Sequence, residues 1–140
     1  MNEIVRINDQ NPTYSSISLA NASKAEKAQF FNAVENPTAK LSEFINKQVT
    51  FSNVFMTQTF ITEKDDTGMP IPNTEKECVK TVLITPEGQG ILSTSMGVAR
   101  ALYSLFQIFG TPEEWDEPMT VEVKQVDIGK NRTYKLNVVG

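Results

Sequence analysis

The sequence predicts a mainly β domain, a small barrel of five strands with one helix inserted between the third and the fourth. The chain has 140 residues, which suits one domain, and its hydrophobic fraction of 39% is sufficient for one core. Several stretches rich in Val, Ile, Phe and Thr are separated by turn residues, as expected for short strands. The clearest helical pattern lies between two groups of these stretches.

The N-terminal third does not look like part of the barrel. Residues 1–14 show no hydrophobic period and contain Asn, Asp, Gln and Pro, so we predict a flexible or extended arm. The rest of the chain, 15–140, is predicted to be a single domain. Within it, 15–48 forms a helical extension, introduced by a short edge strand, and 49–140 forms the barrel.

Capping signals predict two helices in this extension. Ser23 and Glu26 have the spacing of a capping box, and apolar residues at helical spacing follow, which predicts a helix over about 24–35. Asn36 followed by Pro37 is typical of an N-cap and first helical residue, so a second short helix is predicted to start there.

The first barrel strand is unusually long. The stretch VTFSNVFMTQTFIT, residues 49–62, has a strand composition without Gly or Pro. At roughly 3.3 Å per residue it would reach about 45 Å, far beyond the usual 17 to 20 Å, so we expect a bend or a bulge. A charged loop over 63–77 separates it from a second strand at 78–85, and a turn leads to a short third strand at 91–94.

The inserted helix and the last two strands have clear boundaries. Ser95 is a candidate N-cap, Gly110 and Pro112 mark the C-terminal end, and the stretches 119–126 and 132–139 read as a hairpin. Apolar residues of the helix repeat at helical spacing at Val98, Leu102, Leu105 and Phe109.

This order of elements is that of the OB-fold, a five-stranded, partly open Greek-key barrel with one helix between strands three and four. In that fold, strands two and three and the connecting loops bind oligomers. The alternative is an α+β domain in which the same strands form an open sheet with the helices on one face.

Composition excludes several classes of function. The chain has no histidine, and its single cysteine, Cys78, cannot form an internal disulfide or hold zinc by itself. We therefore expect no enzyme, no metal or other cofactor and no small-molecule substrate. The start does not resemble a secretory signal, and no apolar run approaches the roughly 20 residues that span a bilayer. These features favour a cytoplasmic location.

The stretch 102–139 resembles the C-terminal half of a family of single-stranded DNA-binding proteins from phages and conjugative plasmids of Gram-positive bacteria. A looser resemblance extends over 17–139. The matching features are Leu105-Phe106, Phe109-Gly110, Pro112, Trp115, Pro118, a V-x-V-K-Q strand, a Lys-rich turn, Phe30-Phe31-Asn32-Ala33 and Leu41-Ser42-x-Phe44-Ile45.

The resemblance implies an OB-fold protein that binds and protects single-stranded DNA without sequence preference during phage or plasmid DNA replication or conjugation. RNA is an alternative ligand, because stacking does not depend on the sugar. We expect a homo-oligomer, with the arm as a candidate contact between subunits. The net charge of −4 argues against a protein basic over its whole surface. The alternative function is an OB-fold protein–protein interaction module that binds no nucleic acid.

Single-strand binding needs cations along the backbone and aromatic faces for the bases. The last hairpin is the most basic segment and supplies Lys124, Lys130, Arg132, Tyr134 and Lys135 as candidate binding residues. Strand alternation puts Tyr134 on the face opposite Lys135, so Tyr134 is also a candidate core residue.

Further candidates come from the first two barrel strands. Apolar residues occupy both faces of the long first strand, which leaves Phe51, Phe55 and Phe60 either as stacking rings or as residues buried under the N-terminal helices. Lys80 lies in the second strand, on the face that usually holds the ligand. Trp115 is surrounded by four acidic residues and is interpreted as a packing anchor.

Overall fold

The computed structural model of the chain describes residues 4–8, 11–17, 20–74, 76–129 and 131–139. In these ranges the protein is mainly β, with two sheets and two α-helices. The helices are α1 (Lys24–Glu35) and α2 (Met96–Phe109). The strands are β1 (Ile4–Asn8), β2 (Asn11–Ser15), β3 (Ala39–Lys40), β4 (Gln48–Phe51), β5 (Asn53–Ile61), β6 (Lys76–Ile84), β7 (Gly90–Ser93), β8 (Met119–Ile128) and β9 (Asn131–Val138).

The predicted order of strand, strand, short strand, helix and hairpin is present. The long strand predicted over 49–62 is divided by a bend at Ser52 into β4 and β5. β4 belongs to a three-stranded sheet with the order β4-β8-β9, and β5 belongs to a six-stranded sheet with the order β1-β2-β5-β6-β7-β3. The bend therefore links the two sheets, and the predicted bending of this strand is confirmed.

The two sheets do not close into a barrel through their described strands. Closure would pair β7 with β9, but β7 is flanked by β6 and by the short strand β3, and β9 pairs only with β8. The parallel pairing of Ala39 with Ile91 and of Lys40 with Leu92 occupies the edge of β7. The structure thus shows a mainly β fold with two sheets, and not a closed five-stranded barrel.

The bend at Ser52 also exchanges the two faces of the long strand. Before it, Val49 and Phe51 point into the main core, and after it Val54 and Met56 do so. Phe55 consequently faces the other side of the six-stranded sheet, where it joins a second core beneath α1. This explains why apolar residues occur on both faces of one strand.

The helix predicted at about 24–35 is confirmed as α1, and Ser23 and Glu26 form the predicted capping box. The predicted helix start at Asn36 is wrong. Asn36 is the C-cap of α1, with its N–H donating to the carbonyl of Asn32. The chain then extends, because the N–H of Thr38 donates to the carbonyl of Gly90 and leads into β3. Only a single 3₁₀ turn, Leu41–Phe44, follows in this part of the chain.

The described part of the predicted arm is extended, as two paired strands. β1 pairs with β2, and β2 pairs with β5 through residues 13–15. After β2, Ser16 is buried, and its Oγ accepts a hydrogen bond from the N–H of Val54 at 2.8 Å and lies 2.9 Å from Oδ1 of Asn53. These contacts fix the end of the hairpin against the six-stranded sheet.

We expect Gly90→Ala to lower the free energy of unfolding by about 1 to 3 kcal/mol, as overpacking of a core does. Gly90 is buried in β7, and a Cβ at this position would overlap the carbonyl oxygen of Ala33 in α1. Urea unfolding monitored by circular dichroism measures the change. Gln89→Ala, an exposed neighbour in the same turn, is the control and should have little effect. Equal stability of the two variants would contradict the close approach of α1 to β7.

Candidate nucleic-acid interface

The outer face of the three-stranded sheet is polar and carries the central pair of candidate cations. Lys124 in β8 lies directly opposite Lys135 in β9. Because successive side chains of a strand alternate between faces, the residues next to them, such as Val123 and Leu136, point into the main core. We call this outer surface the basic face; it consists of Gln48, Thr50, Thr120, Glu122, Lys124, Lys135 and Asn137.

The charge of the basic face is only partly neutralised. The Nζ of Lys124 lies 3.3 Å from Oε1 of Glu122 and 3.3 Å from Oδ1 of Asn46. Lys135 is exposed and has no ion pair among the described residues. Lys47, also exposed, adjoins this face, because its carbonyl accepts a hydrogen bond from the N–H of Val123. Three lysines thus share this region with one glutamate.

The remaining hairpin candidates do not all lie on this face. Lys130 is outside the described residues, and so is the side chain of Arg132, whose backbone pairs with Asp127 near the tip of the hairpin. Tyr134 pairs with Gln125, is partly buried and packs against the main core. Tyr134 therefore points to the side of the sheet opposite the basic face.

Two of the three candidate stacking rings are core residues. Phe51 is fully buried and packs edge-on against Trp115, with ring centroids 5.8 Å apart. Phe55 is 8% exposed and packs edge-on against Phe30 of α1, with centroids 5.7 Å apart. Neither ring offers a face to a base, which corrects their assignment as stacking residues. Phe60 lies in β5, and its side chain is outside the described residues.

Lys80 lies on a different surface from Lys124 and Lys135. It is partly buried in β6, opposite Thr57, on the outer face of the six-stranded sheet. On the same face Phe55 and Val82 are covered by α1. Lys80 lies in β6, the strand that was predicted as the second barrel strand. The structure does not bring it together with the hairpin lysines.

The segment that follows α2 is acidic and well packed. Trp115 donates a hydrogen bond from Nε1 to the carbonyl of Gly110 at 2.9 Å and contacts Phe51 and Phe106. Its packing supports the interpretation as an anchor. Burial, with the negative charge of Glu113 as a second cause, raises the pKa of Tyr14 far above its ordinary value. This end of the molecule would repel phosphate.

Two other titratable groups have structural explanations. The carboxylate of Asp65 accepts hydrogen bonds from the hydroxyl and N–H of Thr67 and from the N–H of Met69, which lowers its pKa. These three hydrogen bonds hold the loop between β5 and β6 in its turn. Burial raises the pKa of the Cys78 thiol, so that its nucleophilic thiolate form is disfavoured.

Sequence reasoning missed Asn46 and Lys47 as neighbours of the basic face. A lysine directly before the long strand was the available signal, but its position beside β8 depends on pairing across more than 70 residues. The sequence analysis also assigned no role to the exposed side of α2.

No protein-family model matches the chain, and no curated protein or solved structure is significantly similar to it. The part of the chain that the structure describes has no helix with the length and apolar character needed to cross a membrane.

Proposed function

We propose that this protein binds single-stranded DNA without sequence preference, with the basic face contacting the phosphates. The observation that carries the proposal is the direct pairing of Lys124 with Lys135 on an exposed sheet surface of an otherwise acidic chain. Phosphate contacts supply most of the affinity in binding that ignores sequence. The neighbouring Asn46, Thr50 and Asn137 add polar groups that can hydrogen-bond phosphate or sugar oxygens.

The strand arrangement supports assignment of the fold to the OB class. Read through the bend at Ser52, the strands follow the order β7, β6, β5 with β4, β8, β9, and α2 connects β7 to β8. An OB barrel has this neighbour order, and a partly open barrel leaves one seam unpaired. In this protein the open seam lies between β7 and β9.

The resemblance to phage and plasmid single-stranded DNA-binding proteins supplies the biological setting. We infer a role in coating and protecting DNA during replication or conjugative transfer, with a homo-oligomer as the binding unit. Because β1 is the edge strand of the six-stranded sheet, the N-terminal hairpin is the candidate contact between subunits.

A protein–protein interaction module is the second candidate function. It is favoured by α1, which covers part of the sheet face where an OB-fold usually holds its ligand. It is also favoured by the acidic segment that contains Glu113, Glu114, Asp116 and Glu117, which suits a basic partner. This alternative predicts negligible affinity for nucleic acid.

A titration with a fluorescent poly-dT oligonucleotide of about 20 nucleotides, longer than the roughly 4 to 16 that one OB domain covers, distinguishes the two functions. We expect tight binding at low salt. A plot of log affinity against log salt concentration should have a slope of about −2 or steeper, because each phosphate contact on single strands contributes about −0.7. Anisotropy at several salt concentrations measures both quantities. Duplex DNA and single-stranded RNA of the same length are the comparison ligands.

The outcome at low salt decides between the proposals. Weaker binding of duplex than of single strands would support recognition of unpaired bases. If no single-stranded oligonucleotide binds at low salt, the nucleic-acid proposal is wrong and the interaction module remains.

A further inference from the structure

The exposed side of α2 carries one continuous strip of side chains. Successive side chains of this strip are four, three and four residues apart, so that they lie on one side of the helix. We call them the α2 strip: Met96, Arg100, Tyr103 and Gln107. All four are exposed, while the opposite side of the helix enters the main core through residues such as Val98 and Leu102.

The α2 strip is free of negative charge in a chain that is acidic overall. α2 contains no Asp or Glu. Among the described residues, Arg100 has no carboxylate partner at ion-pair distance. By contrast, Lys124 on the basic face shares its charge with Glu122. Arg100 is therefore available to a phosphate or to the face of a base.

Tyr103 supplies the aromatic surface that the basic face lacks. Its side chain is 52% exposed, whereas Phe51 and Phe55 are buried and Tyr134 packs against the core. A tyrosine ring one turn from an arginine, on a helix without Asp or Glu, combines the two groups that single-strand binding requires.

The α2 strip begins beside the basic face. Gly97, in the first turn of α2, is so close to β9 that a Cβ there would overlap Oγ1 of Thr133 and approach the carbonyl oxygen of Tyr134. Thr133 and Lys135 are two residues apart in β9 and so lie on the same face of the strand. A strand of nucleic acid on the basic face would meet α2 at this edge.

We propose that the α2 strip continues the single-strand path from the basic face, with a base stacked on Tyr103 and Arg100 bound to the adjacent phosphate. The ligand is single-stranded nucleic acid, since duplex bases have no free faces for the ring. This inference rests on the proposed function. It extends that function to a helix that contains none of the predicted site residues.

The test compares Tyr103→Leu and Tyr103→Phe with the wild-type protein in poly-dT binding. We expect Tyr103→Leu to weaken binding about tenfold with an unchanged salt slope, because a lost stacking contact is uncharged. Tyr103→Phe should bind almost as the wild type does. Arg100→Gln should make the log–log salt slope less negative by about 0.7. Against an abasic oligonucleotide of the same length, Tyr103→Leu should match the wild type.

The matched control is Phe31→Leu. Phe31 is 59% exposed on α1, the helix that covers the six-stranded sheet and not the sheet of the basic face. We expect it to leave affinity within about twofold of the wild type, as for a ring that no base contacts. If Tyr103→Leu and Arg100→Gln both bind as the wild type does, α2 is not on the path. A larger loss for Phe31→Leu than for Tyr103→Leu would also overturn the inference and move the path to α1. Absence of binding by the wild type itself would instead reject the proposed function.

Discussion

Phe51→Ala is expected to lower the free energy of unfolding by about 3 to 5 kcal/mol, the usual cost of removing a buried phenylalanine ring. Phe51 is fully buried next to the bend at Ser52 and packs edge-on against Trp115. The ring thus connects the bent strand to the segment after α2. Its removal would leave a cavity where the two sheets meet.

Urea unfolding monitored by far-ultraviolet circular dichroism measures this loss without relying on Trp115, which the substitution itself disturbs. Phe31→Ala provides the control. Phe31 is 59% exposed, and its truncation should change stability by no more than about 0.5 kcal/mol. If Phe51→Ala were equally mild, its ring would not be part of the core, and its assignment as a stacking residue would have to be restored.

Local signals in the sequence predicted the ends of α1 and α2 well. The ends of α1 and α2 follow from hydrogen bonds between residues close in sequence, such as Ser23 with Glu26 and the N–H of Val98 with the hydroxyl of Ser95. Gly110 has a φ of 81°, which favours glycine at the end of α2. Such features need no knowledge of the rest of the chain.

Long-range pairing limited the prediction of the sheets. Alternation assigned faces to the long strand as though it were regular, and the bend at Ser52 exchanged those faces. Asn36 had the local signature of a helix start, but the chain is instead drawn into β3 by pairing with β7. A short parallel strand of this kind leaves no periodic pattern in the sequence.

The candidate site was likewise predictable only where it depends on residues close in sequence. Lys124 and Lys135 were predictable as members of one basic hairpin, but their direct pairing was not, because the strands continue to Ile128 and Asn131, beyond the predicted ends at 126 and 132. The choice of aromatic residue was not predictable. Phe55 becomes a core residue only because α1 packs on it, and α2, the helix that carries Tyr103, meets β9 only because Gly97 allows the close approach.

The double substitution Lys124→Glu and Lys135→Glu is expected to weaken poly-dT binding by about 100-fold or more at low salt, because two phosphate contacts become repulsive. The log–log salt slope should become less negative by about 1.4, since two contacts on single strands are lost. Both side chains lie on the outer face of the sheet, away from the main core. Circular dichroism should therefore show an unchanged fold.

A matched double substitution on α1, Lys24→Glu and Lys27→Glu, separates contact from overall charge. Both lysines are exposed and the change in net charge is the same, but α1 covers the other sheet. The two variants are compared at physiological salt, where long-range repulsion is largely screened beyond a Debye length of about 8 Å, so the α1 variant should lose little affinity. An equal loss in both variants would show that net charge, and not the basic face, controls binding. A loss confined to Lys124 and Lys135 would establish direct contact, because local repulsion persists where the phosphates touch the protein.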